Sequence, residues 1–144
     1  MTDVELLQEC RMAVMEERAL SRQIERLSLI GGPKGVAGQA MEHAADRKTN
    51  NAQAKQMQQL DGLIERLEQK RDEDLTIIQK AEAVIDRIRE RRDRVIIRLY
   101  YIEGESDYTI GREIELSAKW VQQLRNKILN CISERKSGRA RKKG

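Results

Sequence analysis

The residues of this chain best equipped for chemistry lie close together toward its C-terminal end: Lys119, Gln122, Gln123 and Asn126, just after Ala118. At 3.6 residues per turn, steps of three, one and three keep these side chains on one side of a helix. A side-chain amide carries donor and acceptor together, so Gln or Asn can bond the edge of an adenine twice. Lys119 adds a charge for a base or a phosphate, and a helix N-terminus itself favours a phosphate. The chemistry expected is recognition of duplex DNA, not catalysis. Nowhere does the sequence pair a nucleophile with a base, so it is read as no enzyme, with no cofactor. His43 is the only histidine and has no metal-ligand spacing around it. Cys10 and Cys131 lie far apart on apolar helical faces and read as reduced packing thiols.

Three short helices are needed to hold that face. Asp93 is the expected N-cap of the first, whose apolar face is Val95, Ile96, Leu99 and Ile102. Gly104 can take the left-handed position that ends it. Ser106 is placed to cap a second helix with Ile110, Gly111 and Ile114 inward. Glu115 and Leu116 turn the chain, and Ser117 caps a third helix with Val121, Leu124, Ile128 and Ile132 on one side. Two helices joined by a tight turn, the second longer, form the helix-turn-helix pattern, expected over 93–134. Gly111 falls where the two helices approach, so a side chain larger than Ala should part them. Trp120 is expected to pack, and Tyr100, Tyr101 and Tyr108 to be core or rim residues.

Charge supports the same partner. Residues 1–92 hold 16 Lys/Arg against 17 Asp/Glu, whereas 93–144 hold 12 against 7. After Glu134 come Arg135, Lys136, Arg139, Arg141, Lys142 and Lys143 with no acid among them. A basic end on a neutral body is the footprint of a nucleic-acid binder. Residues 135–144 are expected to be a disordered basic tail whose cations meet phosphates.

The remaining two thirds is built to carry this end. Charged residues make up 36%, there is one Pro and no Phe, the composition of long exposed helices. Thr2 and Glu5 form a capping box, and Leu6, Cys10, Ala13, Leu20, Ile24 and Leu27 follow at helical spacing, predicting a helix from about 3 to 30. Gly31-Gly32-Pro33-Lys34-Gly35 ends it, and 31–50 reads as a Gly-rich linker with a short turn around Ala40–Ala45. A second helix, 51 to about 90, carries Met57, Leu60, Ile64, Leu67, Ile78, Ala81, Ile85 and Ile88. Arg71 and Asp74 interrupt that stripe and are read as a shift of packing face. Neither helix can bury its stripe alone, so 1–92 should be a hairpin or a coiled coil, with a homodimer through the long helices as an option. The fold class is all-α. No apolar stretch approaches a membrane span and no signal peptide opens the chain, so a cytoplasmic protein without a membrane partner is expected.

The stretch Tyr101-Ile102-Glu103-Gly104-Glu105-Ser106, then Ile110-Gly111, Leu116-Ser117 and Val121, resembles region 4 of bacterial sigma factors. It resembles still more the phage and prophage regulators of the ArpU and RinA type, which put a charged helical part before such an ending. The resemblance is close over 95–132 and loose over the rest. It implies a phage transcriptional regulator whose DNA-reading positions are Ser117, Lys119, Gln122, Gln123 and Asn126. The chain departs from the pattern twice: Glu115 occupies a turn position usually given to Gly, and Gly111 replaces the usual Ala. Two further expectations compete with a sequence-specific regulator. One is a DNA-packaging component of small-terminase type, and the other an adaptor that contacts RNA polymerase or a sigma factor.

Overall fold

The computed structural model describes residues 1–31 and 46–143, with side chains for 1–29 and 51–135. Among the described residues all regular structure is helical: α1 (Asp3–Gly31), α2 (Asp46–Asp86), α3 (Arg91–Tyr101), α4 (Asp107–Ile114) and α5 (Ala118–Lys143). The all-α expectation holds. The expected turn at Ala40–Ala45 lies outside the described residues, and 46–50, expected in the linker, already belong to α2.

The chain forms two compact units, Met1–Met15 with Asp74–Gly144, and Glu16–Glu73. The division does not fall at residue 92, because the base of the long helices shares a core with the C-terminal helices. In the first unit, Thr2 caps α1 by accepting from the Glu5 N–H at 3.1 Å. The inward residues of α1 are then Leu7, Cys10 and Val14, whereas Leu6 and Ala13, expected at the centre of the stripe, lie at its margin. They pack with Ala81, Val84, Ile85 and Ile88 and with Ile97, Tyr101, Ile128 and Ile132. A second cluster, Ile96, Ile110, Val121 and Leu124, joins α3, α4 and α5. Each such side chain gains about 1.5–3 kcal/mol by leaving water, against ~1 kcal/mol for a typical hydrogen bond, so apolar packing sets how these helices cross.

Helix α2 stops at Asp86, four residues short of expectation, with no Gly or Pro to stop it. Guanidinium groups take the carbonyls that the break releases. Arg94 Nη1 donates to Ile88 O at 2.6 Å and to Arg89 O at 2.8 Å, and Arg135 Nη1 to Arg87 O at 3.0 Å. The N-cap of α3 is therefore Glu90, with extended φ and ψ and no side-chain cap bond, not Asp93. Arg98 fastens α3 to α2 through Glu82 at 2.5 Å.

Asp74 is 9% exposed and Leu75 is 52% exposed. Leu67, Asp74 and Ala81 follow at intervals of seven, so the buried row does not change face at Asp74; a carboxylate stands in it. The expected shift of packing face is thus corrected. In the second unit, α1 and α2 are tied by Lys70–Glu16 at 3.3 Å and Arg71–Glu17 at 3.7 Å. Leu20, Ile24, Leu27, Leu60 and Leu63 are half-buried there. No helix among the described residues is long and apolar enough to cross a membrane.

Candidate nucleic-acid interface

The face that carries Lys119, Gln122 and Gln123 is held by a short chain of local contacts. Gly104 takes φ 72° just after α3, where a Cβ would be strained. Ser106 then caps α4 as expected, accepting from the Thr109 N–H at 3.2 Å. Helix α4 ends because Glu115 adopts the left-handed conformation, φ 61° and ψ 44°. That turn lets the Leu116 N–H reach back to Gly111 O at 2.8 Å. Ser117 follows and caps α5, its Oγ accepting from the Trp120 N–H at 3.1 Å. Two helices are thus joined by three residues, all of them fixed.

Helix α5 is secured to the start of α4 by a bidentate pair. Arg125 donates from Nε to Asp107 Oδ1 at 3.2 Å and from Nη2 to Oδ2 at 2.9 Å. Burial works against the Arg125 charge, but the hydrogen bond and charge of Asp107, with Tyr100 and Tyr101 adding, hold its guanidinium above the ordinary arginine value. Tyr100 is flanked by two guanidiniums, Arg125 at 3.9 Å and Arg11 at 3.7 Å from the ring centre. Arg11 also donates to Tyr100 O, and to Glu105 O at 3.0 Å, so α1 braces the α3–α4 turn. Contacts across some ninety positions carry no local signal, and sequence reasoning missed Arg11 and Arg125 alike.

Val121, Leu124 and Ile128 face the core, and Lys119, Gln122, Gln123 and Asn126 are exposed. At 100° per residue these four point away from that core. Ser117 is exposed too, but its oxygen is occupied by the cap. Asn126 shares a surface cavity with Thr2, Asp3 and Val4 of α1, which leaves Lys119, Gln122 and Gln123 as the open part of the face.

Four expectations change around it. Trp120, expected to pack, is 46% exposed on the first turn of α5, and Tyr108, expected in the core or rim, is 65% exposed beside Arg112. Cys131 is exposed, so only Cys10 serves as a packing thiol. The segment expected as a disordered tail from residue 135 continues α5 to Lys143. Arg135 is exposed, and the side chains of Lys136, Arg139, Arg141, Lys142 and Lys143 lie outside the described residues.

The arrangement presents amide and ammonium groups from a rigid helix start, with aromatic surface next to them. Such a surface can bond a polar edge and cover an apolar one. No protein-family model, curated protein or solved structure matches this chain.

Proposed function

We propose that this chain is a sequence-specific DNA-binding transcription regulator, in which α4, its three-residue turn and α5 act as a helix-turn-helix of sigma region-4 type. One observation carries the reading: Lys119, Gln122 and Gln123 stand exposed at the start of a helix whose opposite side is locked into the core. A helix so held can enter a major groove, where donor and acceptor patterns distinguish all four base pairs. The cations from Arg135 onward supply phosphate contacts whose strength falls with salt. The resemblance to ArpU- and RinA-type proteins supports a phage-type regulator.

Sites selected from random duplexes provide the test. Gln122→Ala with Gln123→Ala is expected to stay folded and to lose about 1–3 kcal/mol of discrimination for each bidentate contact removed. Non-specific binding at the same salt should persist. An unchanged ratio between selected and scrambled duplexes would remove this reading. The adaptor reading then leads, supported by the exposed Trp120 and Tyr108, since aromatic residues are enriched in protein interfaces.

A further inference from the structure

The Glu16–Glu73 unit leaves much of its apolar surface uncovered. Among its described side chains only Leu67 is buried, while Met57 is 58% and Ile64 37% exposed. These two lie seven residues apart and so share one face of α2, where a heptad step returns to the same side. Helix α1 covers the row that includes Leu67, and a hairpin has no third helix for the Met57–Ile64 row. Helices owe most of their stability in water to packing of an amphipathic face, so an open row invites one more helix.

Charge indicates which helix. Residues 16–73 hold ten Lys/Arg and ten Asp/Glu, so the net +4 of the chain comes from elsewhere. A neutral face does not attract a polyanion and does not repel its own copy. We propose that the Met57–Ile64 face of α2 is the docking site for a second copy of this chain, with the two α2 helices antiparallel.

The charges on that face choose the direction. Asp61, Glu68 and Arg71 lie within 40° of Met57 around the helix, at 100° per residue. A parallel pair in register sets each of them against itself, and like charges facing each other disfavour association. An antiparallel pair with its two-fold axis at Ile64 stacks Ile64 on Ile64. It also brings Asp61 within a turn of Arg71 of the second copy, and Met57 onto that arginine's aliphatic stem. Arg71 already pairs with Glu17 at 3.7 Å but keeps 59% of its side chain exposed, enough to receive a second carboxylate.

Sedimentation equilibrium of the full chain over a range of concentrations tests this without DNA, so its outcome is separate from that of the function proposed above. The expected result is a reversible monomer–dimer equilibrium. Ile64→Glu should leave a monomer at concentrations where the parent chain is dimeric, with helicity by circular dichroism unchanged. Asp61→Arg, which then meets Arg71 of the copy, should move the midpoint to higher concentration. If Ile64→Glu loses helicity, Met57→Glu at the more exposed position serves in its place. A parent chain that stays monomeric throughout overturns the proposal. So does a dimer that persists in a fully helical Ile64→Glu or Met57→Glu variant.

Discussion

Gly111 lies against the carbonyl group of Leu116: a Cβ built on it would overlap that oxygen and stand 3.3 Å from the carbonyl carbons of Leu116 and Ser117. The two helices meet there backbone to backbone, so the limit is tighter than the sequence suggests, and even alanine does not fit. Overpacking of this kind costs about 1–3 kcal/mol, because backbone and not a flexible side-chain end must move. Gly111→Ala is expected to lower the urea midpoint by that amount and to weaken duplex binding. Gly62, inside α2, has open space around it, so Gly62→Ala should raise stability by ~1 kcal/mol through helix propensity. Equal effects of the two substitutions would contradict the close approach described here.

Glu115 combines strain with an exposed negative charge beside Ser117. A left-handed residue with a Cβ costs roughly 1–2 kcal/mol, which glycine does not pay. Glu115→Gly should therefore stabilise the chain by about 1 kcal/mol and also bind duplex DNA more tightly. Glu115→Gln keeps the strain and removes the charge. It should leave stability nearly unchanged while raising affinity, most clearly at low salt. If neither variant bound more tightly, the turn would not face DNA.

Tyr101 makes the fold sensitive to alkali. Burial pushes its phenol above the ordinary value of 10, against the opposing hydrogen bond and charge of Arg125. The folded chain then keeps a proton that the unfolded chain releases, so the stabilisation is complete below pH about 10 and is lost as pH rises through the folded value. Urea unfolding between pH about 8 and about 11 should show this decline in the parent chain and a smaller one in Tyr101→Phe. At neutral pH the variant should lose ~1 kcal/mol, the worth of one hydrogen bond. Identical declines in both would separate Tyr101 from the alkaline response.

What could be read in the sequence is what neighbouring residues decide. The caps at Thr2, Ser106 and Ser117 and the left-handed Gly104 depend on residues within three or four positions, and each stands where expected. So does the exposed set Lys119, Gln122 and Gln123, because helical period alone separates it from Val121 and Leu124. The errors share one cause, which is partners distant in the chain. The stop of α2 depends on Arg94 and Arg135 taking freed carbonyls, and the buried place of Asp74 depends on a seam that outlasts one polar residue. Leu7 and Val14 prevail over Leu6 and Ala13 because the C-terminal helices pack against that side of α1.

The shared core of Met1–Met15 with the C-terminal helices has a bearing on inheritance. Cut out as a contiguous block, residues 93–134 would leave with Ile97, Tyr101, Ile128 and Ile132 stripped of Leu7, Cys10 and Val14. A single crossover ahead of α3 would therefore join two half-cores that never fitted each other. Paired crossovers near residues 15 and 74 would instead replace Glu16–Glu73 as a cassette, the kind of insertion that compact units tolerate. A lineage of such chains can then trade the neutral hairpin freely while passing on the Lys119–Gln123 face unbroken.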